Sequence, residues 1–297
     1  MRVAVLTCRR LPRFVTWEIP DVDALFTDDR MLIAAFHERG VEADPVVWSD
    51  SSVDWSAYDV ALIRSTWDYI DERESFLSVL STIESSSCRL FNPLAVVRWN
   101  SDKSYLFDLP AWGIPIVPTV RASAAIGDLP GWSRVIVKPR VGTGASEVSL
   151  VASGEIDATL ERLSGAGSLH DYLVQPMVDS VVTEGEWSFI FVAGEFSHAL
   201  LKKPAAGDYR SQGIYGGTIQ SEIPRPDDIR QAEDILAALP YDLLYARLDL
   251  VRIDGRFAIM ELELIEPILY FSLSARGPDR LVSATIARGA GTAGPGS

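Results

Sequence analysis

The chain has 297 residues, with 41 acidic against 27 basic side chains and a net charge of −14, a balance that argues against nucleic acid or an anionic membrane as its main partner. Apolar residues make up 47% and charged residues 23%, the composition of a folded globular chain rather than a disordered one. Two cysteines, Cys8 and Cys88, are too few for a disulfide framework or a zinc site and point to a reducing cytoplasm.

The N-terminus enters a strand over 2–7 directly, followed by Arg9 and Arg10, with no apolar leader segment. No apolar run approaches membrane-spanning length. Further strand signals lie at 45–48, 60–64 and 89–91, with helix signals at 28–39, between a Thr27 cap and a Gly40 stop, and at 72–84. Alternating strands and helices predict an open parallel α/β layer over 1–95. Such sheets bind ligands beyond the carboxyl ends of their strands, which makes Thr7, Arg64 and Thr66 candidate substrate contacts. The competing reading is ordinary loop residues.

A helix over 102–112 carries Lys103 and breaks near Pro110, and Pro115 and Pro118 mark an extended connection. A strand over 133–138 then ends in Lys138, followed by Gly142, Thr143, Gly144, Ala145 and Ser146. Backbone amides of a glycine-containing loop approach phosphate oxygens closely, and a lysine at the strand end adds a point charge. A plain hairpin loop has the same residues, and no Walker A sequence is present. Next, a strand runs through Gln175 and Pro176 into Met177 and Val178, where the proline break leaves backbone groups for a base edge, or makes a linker.

Glu184 and Glu186 precede a strand over 187–192 that turns at Ala193-Gly194 into 196–201 and ends in Lys202-Lys203-Pro204. The loop over 207–217 carries Arg210 and is basic and glycine-rich, so it is either mobile surface or an anion clamp. A helix follows over 229–239. The stretch 289–297 is rich in Gly, Ala and Ser and reads as a disordered tail. His37, His170 and His198 are scattered and form no nucleophilic triad.

Two strand signals at 246–252 and 256–264 join through Ile253-Asp254-Gly255, whose Asp-Gly pair is a hairpin signature. Carboxylates sit inside both. A three-residue loop with Gly255 left-handed sets Arg247, Asp249, Glu261 and Glu263 on one face with Phe257 and Ile259, and leaves Leu248, Leu250, Met260, Leu262 and Leu264 on the other. A two-residue loop turns Asp249 away from the glutamates. Carboxylates about 6 Å apart repel by roughly 3 kcal/mol per pair at an effective dielectric near 20, more than one arginine offsets. An all-oxygen set without His or Cys favours Mg²⁺. The alternative is a solvated hairpin face.

In this order the pieces resemble the ATP-grasp ligase superfamily over residues 93–270. The resemblance implies a mixed α/β (α+β) fold: an N-terminal open parallel α/β domain (1–95), a central lid (96–176) and a C-terminal antiparallel-sheet domain (177–288). It also implies ATP, with Lys103 and Lys138 on the phosphates, the Gly142 to Ser146 loop over them, Gln175 to Val178 holding adenine, and Glu186, or else Glu184, on the ribose. Arg210 and Arg247, joined by Lys203, would hold the phosphoryl group and the reacting carboxylate. Asp249, Glu261 and Glu263 would hold two Mg²⁺ ions, although Glu263 stands where the family has asparagine.

The segments Thr7-Cys8-Arg9-Arg10, Ile63-Arg64-Ser65-Thr66-Trp67-Asp68-Tyr69 and Met260-Glu261-Leu262-Glu263-Leu264-Ile265-Glu266-Pro267 are similar to a branch that closes a ring within one amino-acid substrate. The implied chemistry activates a carboxylate as an acylphosphate for attack by nitrogen. An intermolecular carboxylate–amine ligase and a non-catalytic nucleotide-binding regulator are the alternatives. A small amino acid is the implied partner, with no nucleic acid or membrane. A homodimer is expected only as the commonest symmetric assembly.

Overall fold

A computed structural model describes residues 1–11, 22–125, 129, 131–142, 148–166, 168–210 and 216–290. Its first sheet is parallel. Strand β1 (Arg2–Thr7) lies between β2 (Glu42–Val47) and β3 (Val60–Ser65), and β3 pairs in turn with β4 (Arg89–Phe91). β1 and β3 are apolar almost throughout, as strands covered on both faces must be. Val3 and Val5 face the side of Phe36 in the helix Thr27–Glu38, while Ala4 and Leu6 face that of Phe76 and Leu80 in the helix Arg73–Glu84.

The expected helix over 102–112 is instead two short 3-10 segments, Lys103–Phe107 and Leu109–Trp112. Asp102 accepts from the Ser104 amide and starts the first, and Pro110, which lacks an amide hydrogen, enters the first turn of the second. A second, antiparallel sheet follows, built from β5 (Val120–Arg121), β6 (Arg134–Pro139), β7 (Ser149–Ala152) and β8 (Tyr172–Pro176) in the order β5-β8-β6-β7. Its small core holds Val135, Val137, Val151, Leu160 and Val174.

The largest sheet contains β9 (Glu186–Val192), β10 (Glu195–Lys203), β11 (Thr218–Glu222), β12 (Tyr245–Ile253) and β13 (Arg256–Glu263), ordered β11-β10-β9-β12-β13. One face is apolar at its centre: Trp187, Phe189, Leu248, Leu250 and Leu262 pack with Ala232 and Ile235 of the helix Pro226–Ala237. The other is apolar only at its ends. Ile190, Leu200 and Tyr245 pack toward the first sheet, and Val251 meets Val117 and Val181. Charged residues fill the space between.

The β12–β13 loop is not the three-residue loop expected. Asp254 (φ 50°) and Gly255 (φ 80°) form a two-residue turn with Ile253 opposite Arg256, the geometry whose twist matches a hairpin. Continued without interruption, this register would oppose Asp249 to Met260. Met260 is an extra residue: Leu250 pairs with Ile259, yet Asp249 pairs with Glu261 and Arg247 with Glu263. The bulge returns the charged residues to one face by a different route. The two-residue turn itself sends Phe257 and Ile259 to the apolar face, against expectation, and Met260 at the bulge joins the cluster of Val117 and Val251.

Side chains from the preceding segment satisfy the outer edge of β13. Asn100 and Tyr105 exchange hydrogen bonds with the backbone of Leu262 and Leu264, and Pro115 and Val117 bond the backbone of Ile259. The helix Gly277–Ala290 packs through Leu281 and Val282 into the core under the first sheet, so the last part of the chain rejoins the first. Gly289 and Ala290, expected in the disordered tail, are therefore helical, and a Cβ at Gly289 would lie 3.0 Å from Val60 Cγ2. Residues 291–297 lie outside the described residues.

Asn92 joins the first and largest sheets. Its fully buried amide donates to the Tyr245 carbonyl (2.9 Å) and the Leu264 carbonyl (2.8 Å) and accepts from the Leu244 amide (2.7 Å). Asn92→Ala strands three buried backbone groups, at about 1–3 kcal/mol for each one left unsatisfied. Urea denaturation should show a loss of at least about 3 kcal/mol, against less than about 0.5 kcal/mol for the exposed control Thr82→Ala.

Candidate active site

Register brings the charged face together. Cross-strand pairing places Glu186 opposite Lys202, Ser188 opposite Asp249, Asp249 opposite Glu261 and Arg247 opposite Glu263. Lys202 Nζ lies 3.1 Å from Glu186 Oε1 and 3.3 Å from Asp249 Oδ1. Arg247 Nη2 lies 3.0 Å from Asp249 Oδ2 and also pairs with Glu263. The Ser188 hydroxyl donates to Asp249. Tyr270, with φ 52°, presents its ring 5.8 Å from the Arg247 guanidinium and 6.0 Å from Lys202 Nζ.

Two further lysines arrive from outside this sheet. Lys103 Nζ donates to Glu261 at 2.9 Å and to the Gly142 carbonyl at 2.7 Å. Its position is fixed by its own amide, which donates to the Arg140 carbonyl (2.8 Å), and by the Asp102–Arg140 ion pair beside it. Lys138, at the end of β6, is buried and close enough to feel Glu261, Lys103 and Glu186.

Mutual neutralisation sets the ionisation of these groups. Burial disfavours the charge on Asp249, but Arg247 and Lys202 outweigh it and hold the carboxyl down at about 2. For Glu261 too, burial opposes ionisation, and Lys103 and Lys138 overcome it, so its pKa is lowered. Glu263 goes the other way: burial, with Asp249 and Glu261 nearby, pushes it up to about 7 despite Arg247. Burial also brings Lys138 down to about 8, against the pull of Glu261.

Several expected positions need correction. Lys203 is exposed on the opposite face of β10, and Lys202 occupies the site. The reason is a second bulge. After the Ala193-Gly194 turn, Phe196 pairs with Phe191 but His198 with Ile190, so Ser197 is an extra residue. Without it, Lys203 would share the face of Glu186. Among the described residues no three His, Cys, Asp or Glu side chains converge as a ready metal cage; Asp249, Glu261 and Glu263 share one face, but each is turned to a cation.

Glu184 departs from the site and pairs with Arg252 (2.8 Å) and the Trp187 indole (2.8 Å), whereas Glu186 remains on the charged face. The amide of Met177 is committed to the Arg134 carbonyl (2.9 Å), not left free for a base, and the Gln175 side chain donates to Thr119 (2.9 Å). Pro176 ends β8, and Val178 accepts from the Val181 amide. Arg210 makes a two-point pair with Asp208 (3.1 and 2.9 Å). Adjacent Tyr209 donates to the Val148 carbonyl (3.1 Å) and links this loop to the residue before β7. Thr143, Gly144, Ala145 and Ser146 lie outside the described residues.

At the first sheet, the Thr7 and Ser65 hydroxyls are 2.8 Å apart, and Ser65 donates to Asp29. Arg64 and Thr66 are both buried, and Arg64 donates to the Pro267 carbonyl in the segment that follows β13. Sequence reasoning missed Lys202, Ser188 and Tyr270. Lys202 and Ser188 were accessible only through strand alternation once the Ser197 bulge is known, and Tyr270 had no local signal.

Comparison with known proteins bears on this arrangement. Residues 3–92 match the family described as D-cycloserine synthetase DcsG, N-terminal domain. The cycloserine biosynthesis protein DcsG of Streptomyces lavendulae is 31% identical over 280 residues, covering 86% of this chain and 92% of that protein. The chain belongs to the DcsG family. The crystal structure of D-cycloserine synthetase DcsG superposes with a TM-score of 0.81 at 27% identity, over 97% of this chain and all of that one. A D-alanine–D-alanine ligase from Bacillus anthracis, solved with ATP, shares the fold at a TM-score of 0.67 and 16% identity, covering 97% of each chain. This family member is thus an ATP-grasp ligase, an ATP-dependent enzyme that forms carbon–nitrogen bonds. Its class uses ATP and Mg²⁺. No described helix is long and apolar enough to cross a membrane.

With Lys138 brought down to about 8 by burial, any anion it holds is bound more weakly above that pH. Affinity for ADP should therefore fall about tenfold between pH 7 and pH 9, where Lys138 loses its charge. Calorimetry across this range checks it, and Lys138→Arg, which stays charged, should flatten the profile.

Proposed function

We propose that this enzyme closes O-ureido-D-serine to D-cycloserine. The observation that carries the reading is the match to a cycloserine biosynthesis protein over 92% of its length, joined to a face where Lys103, Lys138, Lys202 and Arg247 confront three carboxylates. In the proposed reaction a carboxylate oxygen of the substrate attacks the γ-phosphorus of ATP, and ADP leaves. The substrate's own oxyamine nitrogen then attacks the acyl carbon, the bond pair departs with phosphate, and the nitrogen loses its proton. Hydrolysis of the attached carbamoyl group consumes one water and gives carbon dioxide and ammonia.

The residues supply position and charge, which is most of what phosphoryl transfer requires. Lys103 and Lys138 neutralise the phosphates, Glu186 takes the ribose and Gln175 to Val178 border the adenine. Arg247, with Arg210 from its loop, holds the reacting carboxylate and the phosphoryl group, and Lys202 joins them in place of Lys203. Asp249, Glu261 and Glu263 are hard oxygen donors and fit two Mg²⁺ ions, which when bound would shield the phosphate charge. The cations that now neutralise these carboxylates are the ones assigned to phosphate, so ligand binding exchanges partners instead of burying new unpaired charge.

An internal nucleophile has a high effective concentration, so folding the substrate and excluding water are the main tasks. Phosphate release with O-ureido-D-serine as sole amino acid, followed by mass analysis of the product, tests the reading; a strict need for a second amine would overturn it in favour of an intermolecular ligase. Glu261→Ala should abolish turnover while the circular dichroism spectrum is unchanged. Lys202→Ala should lower kcat by at least about a hundredfold, the scale of one electrostatic contact in a transition state, whereas Lys203→Ala should stay within about twofold.

A further inference from the structure

Arg64 is only 2% exposed, and one of its nitrogens, Nη2, donates to the Pro267 carbonyl at 2.7 Å. Its guanidinium lies 5.2 Å from the centre of the Tyr245 ring. Nε and Nη1 are buried without any partner among the described residues, and so is the hydroxyl of neighbouring Thr66, which is fully buried. Asp29 is near enough to feel Arg64, but its carboxylate accepts from Ser65. A guanidinium with two unsatisfied buried nitrogens is costly and unusual in a folded protein. It is the form expected of a donor kept for a ligand oxygen.

The residue before Pro267 is Glu266, which faces the Tyr69 phenol. Burial, with Glu263 nearby, pushes this carboxyl up to about 8. A carboxyl in this setting is favoured in its ionised form by a positive group placed beside it. Along one segment the protein thus offers Arg247 paired to Glu263, then Glu266, then Arg64 against Pro267.

We propose that Glu266 receives the α-ammonium of the amino-acid substrate while Arg64 and Thr66 receive its ureido carbonyl oxygen, with the reacting carboxylate left at Arg247. The assignment rests on the reading above and deepens it, since it makes selection for a free amino group and for the ureido tail separate properties of separate residues. Removing either property from the ligand must silence one residue and leave the other.

Calorimetric titration of the full chain with ADP and Mg²⁺ present tests this, using three probes: O-ureido-D-serine, its analogue lacking the amino group, and D-serine, which lacks the ureido group. Glu266→Gln should weaken O-ureido-D-serine at least tenfold and leave the deaminated analogue within twofold. Arg64→Gln should weaken O-ureido-D-serine at least tenfold and leave D-serine within twofold. Equal loss for all probes, or no loss, overturns the assignment. ADP affinity within twofold of the parent shows an intact fold; should Glu266→Gln fail that check, Glu266→Asp takes its place, with partial retention of O-ureido-D-serine affinity expected and full retention counting against the role. The two readings fail differently. Binding that depends on Glu266 without phosphate release overturns the reaction and supports the subsite, whereas turnover indifferent to Glu266 overturns the subsite alone.

Discussion

A β-strand presents alternate residues to opposite faces, so one additional residue in a paired strand exchanges the faces of everything beyond it. Both hairpins of the largest sheet contain such a residue, Ser197 in β10 and Met260 in β13. Each follows a two-residue turn whose register alone would give the wrong set of charges. With the bulges in place, Lys202 meets Glu186 and Asp249 meets Glu261. The apolar face is completed by the same shift, because Leu201, Leu262 and Leu264 move into the core as their charged neighbours move out of it.

Packing on that apolar face makes the charged face rigid. Lys202, Arg247 and Asp249 are nearly fully buried, a situation tolerable only because each is paired on more than one side. The consequence is a site whose dipoles and charges are already oriented. Lys103 and Lys138 complete it from separate elements, one held through Arg140 and the other on the end of β6.

The two remaining contributors come from far apart in the chain. Asn92 and the helix Gly277–Ala290 fasten the parallel sheet to the antiparallel one, and this contact carries the ends of β1 and β3 up to the segment after β13. Arg64 touches Pro267 across 203 positions of sequence. The proposed substrate side of the site therefore lies at the junction of two sheets, while the charged side belongs to one.

The sequence by itself determined the parallel layer, the hairpins, and the residue types of the site, since period-two apolar strands, capped helices and carboxylates within core strands are local signals. Lys138, Arg247, Asp249 and Glu261 stood out for that reason, whereas Lys103 entered only through the family resemblance. Tertiary structure alone decided which of Lys202 and Lys203 faces inward, how Asp249 comes beside Glu261, and what lies against Arg64. Bulges are placed by packing on both faces of a sheet, and contacts between distant segments are placed by how the sheets dock. Neither leaves a periodic trace in the chain, because the energy that selects them comes from neighbours that are remote in sequence.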